Sequence, residues 1–143
     1  MNTILIAIIV VNVLISYKGF NDLSFFRKYE FHIGSIHKGE QIRMLSSGFL
    51  HVDMMHLVFN MITLWFFAPL VLSYLGNWTF VLIYLGSLIF GNLLTYVFNK
   101  NNYSYRAVGA SGAVTGVLYS AILLQPDMML GLFFVIPIPA YLF

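Results

Sequence analysis

The chain has 143 residues, of which 60% are hydrophobic and only 8% charged, against about 25% charged in an ordinary soluble domain. A small domain has a large surface to cover, and seven basic and five acidic residues would cover it poorly, so a soluble globule is excluded and lipid is the expected solvent. The net charge of +2 comes without a basic patch that would mark a nucleic-acid partner, and the lack of cysteine rules out disulfides, a thiol nucleophile and a thiolate metal site.

The first predicted element is an apolar helix over residues 3–17. Its Ile/Val richness would suit a strand in water, but an open strand edge is forbidden in lipid. A basic leader region and a small-residue cleavage signature are both missing from this stretch, so it reads as a first membrane helix rather than a signal peptide. Residues 18–52 form a long polar loop in which Lys18, Arg27, Lys28, Lys38 and Arg43 mix with Phe20, Phe25, Phe26 and Phe31. That mixture predicts short amphipathic pieces at the membrane interface.

No Asp, Glu, Lys or Arg occurs between Asp53 and Lys100. A run of this length holds two crossings of about 20 residues each. Helices are predicted over 53–74 and 78–98, with Gly76 and Asn77 as the turn and Asp53 as the N-terminal cap. A polar segment, 99–107, leads to a fourth helix over 108–124, stopped by Gln125, Pro126 and Asp127. Residues 128–143 are apolar but contain Pro137 and Pro139, which suit a helix interior poorly. A re-entrant or surface piece, with a helix beginning near Pro139, is expected there. The fold class is thus all-α, a polytopic membrane helical bundle.

Small residues predict how it packs. Ser87, Gly91 and Thr95 form a stripe at i+4 spacing, and Gly112, Gly116 and Ser120 form another; such stripes let membrane helices approach closely. Alternation puts the 18–52 and 99–107 loops on one side, so the second and fourth helices start at similar depth. The lysines and arginines on those loops would place that side in the cytoplasm by the positive-inside rule, but the 18–52 loop is only slightly net positive and partly interfacial, so charge alone does not fix the orientation.

Two polar groupings stand at those starts. His56 and Asn60 share a helix face one turn apart, with His51 just before the helix. Polar groups at membrane depth are costly unless satisfied, and this spacing also fits interhelical hydrogen-bond glue. A metal site lacks a third ligand at suitable spacing. Ser111 lies between Gly109 and Gly112 at the opening of the fourth helix, where unpaired backbone N–H groups can stabilise an oxyanion; a packing face is the alternative. Together the two groupings outline a nucleophile with an oxyanion hole, but without a general base, since beyond the capping Asp53 acidic residues are missing from every predicted span.

The pattern His51-x4-His56-x3-Asn60, followed by Gly109-Ala-Ser-Gly112 opening a later helix, resembles the rhomboid family of intramembrane serine proteases. Arg43 and Ser47 stand near the family's tryptophan–arginine pair, with Ile42 in place of the tryptophan; Ala68 and Leu72 depart from its usual glycine and glutamate. The resemblance implies that Ser111 is the nucleophile, that His56 and Asn60 donate to the oxyanion, and that His51, Gly109 and Gly112 support the site. It further implies substrates that are transmembrane proteins cut in or near their spanning segment, membrane lipid as the surroundings, and no cofactor or metal. The family's base is a histidine on a sixth helix, whereas His32, His37, His51 and His56 all precede Ser111. The expectation is therefore a C-terminally truncated rhomboid domain over 1–143, with its fifth and sixth helices missing and inactive alone. A bacterial inner membrane is the expected location, and non-catalytic binding of membrane proteins is the competing function.

Overall fold

The computed structural model describes residues 2–132 and 136–142. Helix α1 spans Thr3–Asn21, capped by the Asn2 side chain, which accepts from the Ile4 and Leu5 N–H groups. It runs one turn beyond the expected end at residue 17, because Lys18 pairs with Asp22 one turn on and Asp22 then caps α2 (Leu23–Tyr29). At 1.5 Å per residue α1 is about 28 Å long, close to the apolar thickness of a bilayer. The polar loop continues through strand β1 (Phe31–His32), α3 (Ile33–His37), α4 (Arg43–Ser46) and a 3-10 turn at Ser47–Phe49. The predicted short pieces are thus ordered elements.

Helix α5 spans Met54–Asn99 and is broken only at Gly76, whose φ of 80° and ψ of 172° are non-helical. Glycine reaches such angles without a Cβ clash, so the predicted two-residue turn narrows to one residue and Asn77 joins the second arm. The arms, 54–75 and 77–99, are each about 33 Å long. Asn2 donates to the Asn77 side chain, while Ser16 near the other end of α1 meets His51. The start of α1 therefore lies beside the turn, and its far end beside the start of α5.

Strand β2 (Arg106–Ala107) pairs antiparallel with β1, Phe31 opposite Ala107 and His32 opposite Arg106. The two polar loops are therefore joined directly on one side of the bundle. Helix α6 spans Ser111–Leu124 and starts three residues later than expected. Strand pairing holds 106–107, and Gly109 has φ +130°, which no helix admits.

The buried face repeats at helical spacing: Leu57, Met61 and Leu64 on the first arm, Phe80, Tyr84 and Leu88 on the second, Ala113, Val117 and Ala121 on α6. The two small-residue stripes meet. An added Cβ on Gly112 would lie 3.6 Å from the Ser87 carbonyl oxygen, and one on Gly91 would lie 3.9 Å from the Gly112 Cα. Large apolar side chains such as Phe66, Trp78, Phe90 and Phe98 point outward, the reverse of a water-soluble domain. The architecture is an all-α membrane bundle with two small β pairings.

The C-terminal expectation is corrected. Strands β3 (Met129–Leu132) and β4 (Ile136–Pro139) form an antiparallel hairpin, followed by a 3-10 turn at Ala140–Leu142 in place of a helix. Ala140 N–H donates to the Met128 carbonyl at 2.7 Å. Inward donors on this strand therefore fall at even positions, and Pro137 and Pro139 occupy the odd ones, where a missing N–H costs the ladder nothing. Residues 133–135 and 143 of this expected piece lie outside the described residues.

Candidate active site

The site is assembled where α1, the start of α5 and the start of α6 converge. Asp53 caps α5 by accepting from the His56 N–H at 2.8 Å. This fixes the first turn, from which His56 and, one turn further, Asn60 project. The Val52 N–H donates to His56 Nδ1 at 3.4 Å. Nδ1 is then the acceptor, so the neutral ring carries its hydrogen on Nε2.

That Nε2 faces the start of α6. An added Cβ on Gly109 would lie 2.9 Å from His56 Nε2 and 3.8 Å from Ser111 Oγ. The imidazole donor and the hydroxyl therefore border one point in space, which only a glycine leaves open. Ala at 109 would combine backbone strain of about 1–3 kcal/mol at this φ with overlap of the His56 ring. Gly109→Ala is expected to lower the melting temperature in detergent and to move the His56 ring signals in the NMR spectrum; unmoved signals would contradict this packing.

Asn60 is 8% exposed, and among the described residues its Nδ2 has no hydrogen-bond partner. A buried orphan donor costs about 1–3 kcal/mol, so it calls for an explanation in function. Ser111 is exposed and its hydroxyl is unbonded among the described residues. It borders a cleft of about 310 Å³ lined also by Ser47, Asn92, Thr95 and Tyr105. Gly112, beside it, packs on the second arm of α5 as described above.

His51 plays a different part from His56. The Ser16 hydroxyl donates to the Phe49 carbonyl at 2.9 Å, so its oxygen accepts from His51 Nδ1–H at 2.8 Å. His51 Nε2 in turn accepts the Ala110 N–H at 3.3 Å. The ring is a neutral link from α1 to the residue before Ser111, with the His56 ring edge-on at 4.9 Å. Burial, and then the neighbouring His56, push the His51 imidazole down to about 4. Unfolded, His51 takes a proton near 6.5. Between these two values the unfolded chain binds more protons, so stability held above pH 6.5 is lost as pH falls toward 4. The melting temperature should fall across that window, and less steeply in His51→Gln; equal slopes would overturn the assignment.

Three partners escaped the sequence reading. Ser16 was legible as a polar residue one turn from Asn12 on an otherwise apolar helix; Asn12 itself donates to the Tyr84 hydroxyl at 3.0 Å. Asn92 donates to the Met44 carbonyl at 2.6 Å and to Ser47 Oγ at 3.1 Å, and the Ser47 carbonyl accepts the Gly109 N–H at 3.0 Å. The Asn92 contacts span 45 and 48 residues of sequence, and no local pattern marks them. Among the described residues there is no cluster of three or more potential metal ligands.

A membrane-embedded helical bundle that presents a serine at a helix start, bordering one point with an imidazole from a second helix, defines a class of intramembrane proteins. The model of the rhomboid domain matches residues 38–143, and the chain belongs to the rhomboid family. It is an integral membrane protein. It is 42% identical over 79 residues to YdcA of Bacillus subtilis (55% of this chain, 39% of YdcA). It is 39% identical over 83 residues to rhomboid protease GluP of the same organism (58% and 16%). Over 149 residues it is 28% identical to RHOMBOID-like protein 12, mitochondrial, of Arabidopsis thaliana (91% and 43%). The matched stretch spans less than half the length of each of these relatives.

Proposed function

We propose that these residues belong to an intramembrane serine endopeptidase that cuts transmembrane proteins in or near their spanning segment. Ser111 is the nucleophile. The His56 Nε2–H, the Asn60 amide and the Ser111 backbone N–H receive the oxyanion of the tetrahedral intermediate. His51 supports the site through Ala110, Gly109 leaves room for the His56 ring, and Gly112 lets α6 approach its neighbour. The observation that carries this reading is the common point bordered by His56 Nε2 and Ser111 Oγ. Likeness to the two Bacillus relatives supports a bacterial plasma membrane as the location.

Among the described residues, none stands as the base for Ser111. His56 presents a hydrogen, not a lone pair, toward the serine. His51 Nε2 is occupied by Ala110, and His32 and His37 are bonded within the loops, to Ser35 and to the Lys100 carbonyl. The chain by itself is therefore expected to leave a quenched transmembrane peptide uncut; cleavage lost in Ser111→Ala would overturn that. A peptidyl boronate probes the remaining machinery, because boron accepts the serine oxygen as a Lewis acid and the oxyanion donors hold the tetrahedral adduct. An adduct on Ser111, found by mass spectrometry, supports the reading. Its absence favours the second reading, a non-catalytic protein that binds membrane proteins.

A further inference from the structure

We propose that Arg106 and Glu30 form a strut between the two polar loops that sets the register of the chain entering Ser111, making Arg106 a positioning residue. The proposal rests on the serine-protease reading for its consequence, but not for its geometry.

The Glu30 side chain is 2% exposed. A buried carboxylate is costly unless paired and hydrogen-bonded. Arg27 reaches it at 3.2 and 3.3 Å, and Arg106 Nη1 lies against its Oε1. Arg43 Nη1 donates to the Glu30 and Arg27 carbonyls, both at 2.8 Å. Arg27 and Arg43 belong to the same loop as Glu30. Arg106 comes from 76 positions further on, and it is the one charged residue between Lys100 and Asp127. It alone carries this ionic cluster across to the segment that ends at Ser111.

That segment needs a register. Its ladder with β1 is two residues long, extended by the Ile33 and Gly34 N–H groups donating to the Tyr105 and Tyr103 carbonyls. So short a pairing is weakly specified. A slip of one residue would displace the chain by about 3.3 Å and pull Gly109 and Ala110 from Ser47 and His51. The slipped arrangement would also carry the Arg106 guanidinium off the buried carboxylate, leaving Glu30 with the half-exposed Arg27 alone. A buried carboxylate held by a half-exposed guanidinium is thus placed where it selects one register, the best-attested use of ionic pairs at buried sites.

The test uses the 143-residue chain in detergent micelles, with hydrogen exchange read at the Gly109 and Ala110 amides and the 15N shift read at His51 Nε2. Arg106→Gln and Glu30→Gln should speed exchange at both amides roughly tenfold or more and shift His51 Nε2 away from its hydrogen-bonded value. Arg106→Lys, which keeps the charge, should restore most of the protection, and core amides such as Leu64 and Val117 should hold theirs. Exchange within twofold of the parent in Arg106→Gln, a rise spread evenly through α5 and α6, or a lysine variant indistinguishable from the glutamine one would each overturn the strut. Failure of the protease reading would appear in the boronate experiment and leave these exchange rates unchanged.

Discussion

Replacing Asn60 with leucine is expected to weaken a peptidyl boronate at Ser111 about 100-fold while leaving the melting temperature of the chain unchanged or raised. The two halves have one cause. The Asn60 Nδ2 donor is buried and unpartnered among the described residues, so the resting fold carries an unsatisfied group. Leucine is similar in size and has no hydrogen to satisfy, which relieves the fold of about 1 kcal/mol or more. The same change removes one donor from the tetrahedral adduct, and loss of a single oxyanion donor costs roughly 3 kcal/mol. If Asn60 were instead interhelical glue, its loss would lower the melting temperature and leave the adduct alone. Measuring both quantities on one variant therefore separates the roles. A melting temperature several degrees lower with unchanged boronate affinity would remove Asn60 from the site. His56→Ala should weaken the adduct by a similar factor, since its Nε2–H is the second side-chain donor.

Gly116→Leu should destabilise the bundle strongly, by about 3 kcal/mol. Water offers no apolar drive between helices in a bilayer, so close packing must hold them together. A methyl group on Gly116 would overlap the Ser87 side chain, and its Cβ would lie 2.5 Å from the Ser87 Cβ. Rotation of the serine hydroxyl cannot relieve a Cβ contact, so the helices must separate. Separation would also open the adjoining contact between Gly91 and Gly112. The effect should appear as a large drop in unfolding midpoint in detergent. Ser87→Gly should restore part of the loss by removing the obstructing Cβ. Gly116→Leu with a parental midpoint would show that α6 does not pack on the second arm as described.

Much of this was legible in the sequence because lipid makes the rules strict. A charge-free run from residue 54 to 99 could only be helix, since an open strand edge has no partner in a bilayer, and its break at Gly76 followed from a residue able to take positive φ. The His56–Asn60 face and the Gly109–Gly112 turn were readable as spacing. The C-terminal hairpin was not. Pro137 and Pro139 argue against helix, but only pairing with 129–132 shows that both fall on the outward edge. Nor was the start of α6, where strand pairing with the first loop overrode apolar periodicity.

By itself, the sequence determined the solvent, the helices and the inventory of polar groups, because hydropathy and backbone bonding are local properties. Tertiary structure alone decided which way each imidazole points. His51 became a neutral link because Ser16 and Ala110 occupy its two nitrogens, and His56 became a donor because Val52 occupies one of its own. Those partners come together only when α1, α5 and α6 pack, and a ring with two similar nitrogens takes its chemistry from whichever neighbour reaches it.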